Sequence, residues 1–225
     1  MLVYDIEIKN AIQGRGEKKI GGITYCDGWD DHKNMGISTV CVYDYDQDRY
    51  RAFGDDNIEE FGELICNHDI IVGFNNIKFD NAVIAAEAAK AEGMLGIDPP
   101  AQGPDGFTAS IKEMLDEKSY DILVEIWVGA GLGREFKYPG SIGYSLDAMV
   151  KENGTSSLPN IGKTGNGAMA PILYQRGEIF NVVDYCLADV WLTKKLLDLI
   201  IVDGKLISPR NGKILDIKKP KGELT

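Results

Sequence analysis

Residues 1–8 read MLVYDIEI, and their alternation decides how the rest of the chain is read. In an extended strand Leu2, Tyr4, Ile6 and Ile8 fall on one face and Val3, Asp5 and Glu7 on the other, because side chains alternate with a period of two. One face is apolar throughout. The other presents two carboxylates side by side. Outward from this strand, ISTVCVYDY (37–45) and RYRAF (49–53) are β-branched and aromatic runs separated by the polar DQD, the pattern of an antiparallel hairpin that pairs with it.

Between strand and hairpin, residues 10–35 are rich in Gly, Asp and Lys and weakly periodic, so they read as a loop or hairpin excursion containing Trp29. After the hairpin, Asp55 or Asp56 is placed to cap a helix over roughly 57–67, whose apolar stripe is Ile58, Phe61, Leu64 and Ile65. DIIVGF (69–74) is a short continuous apolar run of the kind buried on both faces of a sheet. Residues 79–91, rich in alanine, read as a second helix packed on that sheet. The Pro- and Gly-rich 96–108 reads as a loop, 109–117 as a helix, and 119–128 as a strand or a helix. Glycine-rich 129–144 precedes SLDAMVKE (145–152), which opens on a serine cap, and 153–168 is a further irregular stretch. The clearest helix runs from about Val182 to Ile201, with Val183, Cys186, Leu187, Val190, Leu197 and Ile200 at helical spacing. A small hairpin over 205–217 and a Lys-rich tail complete the chain.

This order of elements is that of an α/β, ribonuclease H-like mixed sheet: antiparallel strands 1–3 plus parallel strands, flanked by helices. In it the first strand lies centrally and Asp5 and Glu7 face a groove. Asp80, in GFNNIKFD (73–80), sits just past the buried strand at the start of the next helix, where free amides and the helix dipole favour an anion. Tyr185 and Asp189 are four residues apart on the terminal helix and point the same way. Carboxylates gathered at ~4 Å repel by about 4 kcal/mol at an effective dielectric of 20, so protons or cations must join them. Hard oxygen donors without His or Cys select Mg²⁺ or Mn²⁺. A pair of such ions is the apparatus of phosphodiester hydrolysis.

DIE (5–7), GFNNIKFD (73–80) and YCLAD (185–189) resemble the three motifs of the DnaQ-like 3′–5′ exonucleases, in the tyrosine subclass of the DEDD superfamily. The likeness extends over most of the fold and is greatest to the exonuclease domain of family B DNA polymerases and to related stand-alone nucleases, a group that SLDAMVKE and YCLADVWLT (185–193) also resemble. The resemblance implies a catalytic set of Asp5, Glu7, Asp80, Tyr185 and Asp189, with Asp5, Glu7, Asp80 and Asp189 as ligands of two Mg²⁺ or Mn²⁺ ions. Asp5 would bridge the ions, Glu7 and Asp189 would hold the one that activates water, and Asp80 would hold the other through water. Tyr185 would orient the nucleophile by hydrogen bonding, since a phenol is a poor base at neutral pH. Asn75, Lys78 and Phe79, inside the second motif, are the expected substrate contacts, Lys78 for a phosphate and Phe79 for a base. The expected activity is 3′–5′ exonuclease on a DNA 3′ end, single-stranded DNA above all. RNA trimming or structure-selective cleavage on the same fold, and a non-catalytic binding module, are the alternatives.

The chain's 225 residues and 44% hydrophobic content suit a single exonuclease domain over 1–225, with insertions near 10–35 and 129–168. A stand-alone nuclease is expected, not a polymerase fragment. The net charge of −11 and pI near 4.7 oppose a nucleic-acid partner unless bound cations invert the local field and only a strand end is gripped. Cys26, Cys41, Cys66 and Cys186 show neither zinc-finger spacing nor a disulfide framework, and read as buried thiols. Without a leader pattern or a membrane-length apolar run, a cytoplasmic protein is expected. Gly162-Lys163-Thr164 imitates a P-loop ending, but Ser157 stands where its first glycine belongs. GAGLG (129–133) lacks a dinucleotide-binding context, and the acidic DDHKN (30–34) lacks the calcium-loop pattern.

Overall fold

The computed structural model describes residues 1–90, 104–154 and 167–221. Its centre is a five-stranded mixed sheet built on β1 (Leu2–Ile8). Two further pieces of chain precede the next main strand: β2 (Ala11–Ile12) pairs in parallel with β3 (Tyr25–Cys26), and α1 (His32–Met35) is one turn of helix. β4 (Ile37–Asp44) then runs antiparallel to β1 and carries β5 (Arg49–Phe53) on its far side. After α2 (Ile58–Asn67), β6 (Ile71–Gly73) joins the other side of β1 in parallel, followed by α3 (Asp80–Ala88), α4 (Pro104–Lys118) and β7 (Ser119–Asp121), which is parallel to β6. The strand order is β5-β4-β1-β6-β7, so β1 is central and both of its faces are buried.

The alternation in MLVYDIEI separates two cores. Leu2, Tyr4, Ile6 and Ile8 pack with Phe61 and Ile65 of α2, Val83 and Ile84 of α3, and Ile111 and Leu115 of α4. Val3 faces the opposite layer, made by α5 (Ile122–Gly129), α6 (Leu146–Glu152) and the later α8 (Ile179–Asp203). The result is helix–sheet–helix, the arrangement open to a sheet with two apolar faces. Short α7 (Ala170–Gln175) precedes α8, and β8 (Lys205–Ile207) pairs antiparallel with β9 (Ile214–Asp216) after it. Gly204 ends α8 in the left-handed conformation at φ 64°, its amide donating to Ile200 O at 2.8 Å.

Several local expectations change. Helix α4 begins at Pro104, not near 109: a proline lacks only an N–H that the first turn of a helix leaves unpaired anyway. Residues 119–129 are strand and helix in succession, and the switch occurs at Asp121, whose carboxylate accepts from Leu123 N at 3.0 Å and Val124 N at 3.3 Å. Neither Asp55 nor Asp56 caps α2; Asn57 holds that position without a side-chain cap bond, and Asp55 instead takes Lys9 Nζ at 2.6 Å. Helix α7 falls between the 153–168 stretch and the terminal helix, where the sequence suggested no element. Cys26, Cys41 and Cys186 are buried free thiols, whereas Cys66 is only half-buried. Residues 96–103 of the loop expected at 96–108 and residues 155–166 of the 129–168 insertion, Lys163 among them, lie outside the described residues.

Candidate metal centre

Three pieces of chain bring the expected residues to one cleft. Asp5 and Glu7 stand on β1 opposite Cys41 and Thr39 of β4, facing the α8 layer. Asp80 is the first residue of α3, and its Oδ1 accepts the backbone amide of Ile6 at 3.3 Å, which ties the helix start to the strand between the two acids. Tyr185 and Asp189 occupy successive turns of α8. All five line a cleft of about 480 Å³, together with Asn75, Phe79, Phe74, Trp29, Gly167 and Pro171.

The loop that delivers Asp80 is shaped by its own sequence. Any Cβ at Gly73 would lie 2.5 Å from Cβ of Asn76, so the end of β6 admits only glycine. Asn75 has φ 72°, a left-handed conformation that asparagine tolerates better than most residues. Its amide and that of Ile77 donate to Asp121 at 3.0 and 3.3 Å, so one buried carboxylate both caps α5 and clamps this loop. Asn76 is fully buried, donating to the Tyr4 hydroxyl at 3.1 Å and to Ser119 Oγ at 3.0 Å. The Tyr4 hydroxyl donates in turn to Asn81 Oδ1. Asp121 and Asn76 are positioning residues that the sequence reading missed. The signal for Asp121 was present, an aspartate directly before the apolar run ILVEI.

Electrostatically the cleft is overloaded with negative charge. Burial pushes the Asp5 carboxyl well above the usual carboxylate range, and the charges of Asp80, Asp189 and Glu7 push it further. Glu7 is raised by burial, then by Asp189 and Asp80. Asp80 rises to about 7, mainly by burial, against the lowering effect of the amides of Asp80 and Ile6. The Tyr185 hydroxyl is also raised, by burial first, then by Asp189, Glu7 and Asp5, and finally by its hydrogen bond to Asp189. Such a group must hold protons or cations at neutral pH, and an all-oxygen donor set fits hard divalent ions.

The second motif divides at its end. Phe79 lines the cleft and meets Trp29 edge-on, with ring centroids 5.9 Å apart, while His32 packs against its other side at 6.3 Å. Trp29 is 68% exposed at the cleft mouth, unusual for so large a ring. Its excursion is fastened by Gln175 of α7, which donates to Lys9 O at 2.8 Å and Thr24 O at 3.1 Å and accepts from Thr24 N at 2.7 Å. Lys78, one residue before Phe79, points away: its Nζ pairs with Glu135 at 2.7 Å and lies 5.9 Å above the Trp127 ring. Lys78 is not among the cleft's lining residues.

The group of described residues whose donor atoms lie close enough together to hold a metal ion stands elsewhere. Asp44, Asp46 and His68 each offer a ligand atom within 4.8 Å of the others, with Asp44 and His68 buried and Asp46 exposed. Asp44 pairs with Leu2 at the far end of β4, three residues beyond the partner of Asp5, or ~10 Å along the strand. It also shares the parity of Val40 and Val42, which face the other core. Sequence spacing gave no hint of this group, because its members come together only through strand pairing.

No family model and no curated protein matches the chain. Among solved structures it is similar to the family B DNA polymerase from the hyperthermophilic archaeon Pyrobaculum calidifontis, with a TM-score of 0.53 and 18% identity, covering 89% of this chain and 24% of that one. The chain thus spans about a quarter of the polymerase's length. At that identity the likeness is one of fold, and it accords with the α/β mixed sheet, flanked by helices, of a ribonuclease H-like protein. No helix among the described residues is long and apolar enough to cross a membrane.

Proposed function

We propose that this chain is a metal-dependent 3′–5′ exonuclease that trims a single-stranded DNA end. One observation carries the reading: Asp5, Glu7, Asp80, Asp189 and Tyr185, drawn from three distant segments, line one cleft, and burial raises the carboxyls of Asp5, Glu7 and Asp80 there. The motif resemblance and the polymerase-like fold point the same way.

Asp5, Glu7, Asp80 and Asp189 would hold two Mg²⁺ or Mn²⁺ ions, which supply an activated water and stabilise the leaving oxygen. The protein's own part is positional. The Asp80 carboxylate is held by the Ile6 amide, and the loop before it by Asp121, so the donor set is fixed before substrate arrives. Tyr185, too weak an acid to ionise, keeps its proton and can hydrogen-bond an attacking water. Phe74, Phe79 and Trp29 give the cleft an aromatic wall on which bases can stack. Because Lys78 is bound to Glu135, grip on the strand falls to stacking and to the ions, which suits a strand end better than a duplex backbone.

The test is a pair of oligonucleotides, one DNA and one RNA, labelled at either end and incubated with Mg²⁺ or Mn²⁺. A ladder shortening from the 3′ end of the DNA supports the reading. Internal cuts or 5′ trimming would overturn the direction, preference for RNA the substrate, and no cleavage with either ion the activity itself.

A further inference from the structure

The Asp44, Asp46 and His68 cluster has no part in the cleft; at its exposed edge the Met1 ammonium lies 3.1 Å from Asp46 Oδ1. His68 Nδ1 lies 2.8 Å from the carbonyl oxygen of Leu64. A carbonyl can only accept, so Nδ1 carries the hydrogen and Nε2 turns toward the carboxylates. Nε2 is 3.3 Å from Asp44 Oδ1 and 3.4 Å from Asp46 Oδ2.

Both contacts are longer than the about 2.7–2.9 Å to which charge-assisted N–H···O bonds close. Donor atoms ~3.3–3.4 Å apart are instead what a tetrahedral ion with bonds of about 2.0–2.1 Å sets between its ligands. A second observation is independent of these distances. Asp44 is fully buried, and while its Oδ1 accepts the amides of Asp46 and Gln47 at 2.9 and 3.3 Å, its Oδ2 has no hydrogen-bond partner among the described residues. An unsatisfied buried carboxylate oxygen costs roughly 1–3 kcal/mol or more and calls for a ligand.

We propose that Asp44, Asp46 and His68 form a zinc-binding site with three protein ligands and an open fourth position. One imidazole and two carboxylates make a borderline donor set that favours Zn²⁺ over Mg²⁺, the reverse of the oxygen-only cleft. The Leu64 carbonyl supplies the outer contact that orients a metal-binding histidine. A cleft of about 680 Å³, lined by His68, Asp46, Asn67 and Asp69, opens beside the cluster and gives water access to the fourth position. Lys219, which with Lys221 also lines this cleft, gives its amine to Val202 O at 3.0 Å. The ion would pin the end of β4 and the turn after it to the end of α2. This proposal is independent of the exonuclease reading.

The test is titration of the full, metal-stripped chain with Zn²⁺ by calorimetry, in buffer holding excess Mg²⁺ to occupy the acidic cleft. Wild type and Asp5→Asn are expected to take up a single zinc ion with equal affinity, and His68→Ala to lose that uptake. Should His68→Ala fail to fold, Asp46→Asn at the exposed ligand is expected to weaken uptake at least tenfold, and the His68 ring resonances of wild type to shift on adding Zn²⁺. Uptake unchanged by both ligand substitutions, uptake lost in Asp5→Asn, or no uptake by wild type would each overturn the site. None of those results bears on cleavage with Mg²⁺.

Discussion

The two acidic regions of this protein are built from similar residues and differ in what faces them. In the cleft, Asp5, Glu7, Asp80 and Asp189 gather beside a phenol, and burial raises the carboxyls of Asp5, Glu7 and Asp80. At the other end of β4, two aspartates meet an imidazole whose second nitrogen is already committed to Leu64 O. The lesson concerns selectivity. One sheet can offer a hard, oxygen-only donor set and a mixed nitrogen–oxygen set on opposite faces, and so keep two kinds of cation apart without any difference in overall charge.

The largest effect expected of any substitution is in the cleft. Asp5→Ala or Asp189→Ala should reduce hydrolysis by about a thousandfold or more while the protein still folds and still binds zinc. Loss of zinc uptake in the same variants would erase the distinction between the regions. Gel assays and calorimetry on one preparation measure both.

The pH dependence of stability comes next. Asp80 rises to about 7 from an unfolded value near ~3.9, and Asp5, Glu7 and Asp121 shift the same way, all by burial first. The stabilisation these groups give is therefore full below about pH 4, where both folded and unfolded states are protonated, and it drains away as pH climbs through 7. Without divalent ions the melting temperature should fall by roughly 5–10 °C between pH 5 and pH 8, and Mg²⁺ should restore most of that at pH 8. A flat profile in EDTA would show that the cleft carboxyls do not press on one another.

Smaller effects separate the inner wall of the cleft from its outside. Trp29→Ala should raise KM for single-stranded oligonucleotides about tenfold with kcat little changed, since base stacking is worth about 1–3 kcal/mol. Tyr185→Phe should do the opposite, slowing kcat severalfold with KM nearly intact. Lys78→Ala should alter neither by more than about twofold, as expected of an exposed ion pair to Glu135. A large loss with Lys78→Ala would move the substrate path to the face of α3 that the geometry now leaves out.

Much of this was legible in the chain itself, and the misses share a cause. The alternation of residues 1–8, the hairpin at 37–53 and the spacing of Tyr185 and Asp189 are local patterns, and each survives unchanged in the structure. Lys78 and Phe79 are neighbours in sequence yet part company, because they lie in the turn before α3 and Glu135, from a distant loop, captures one of them. Helix α4 was obscured by Pro104 and Gly106, which suppress helix in isolation, and no local signal says that packing against α3 will override them.

By itself the sequence determined the sheet, the two faces of its central strand and which acids stand on the face toward the cleft, since periodicity of two and of 3.6 is written residue by residue. Only the tertiary structure decided that Trp29 meets Phe79 at the cleft mouth, that Asp121 clamps the loop before Asp80, and that His68 comes to rest against Asp44 and Asp46. The physical reason is that contacts between residues tens of positions apart depend on strand register and helix packing, and no short stretch of chain encodes those alone.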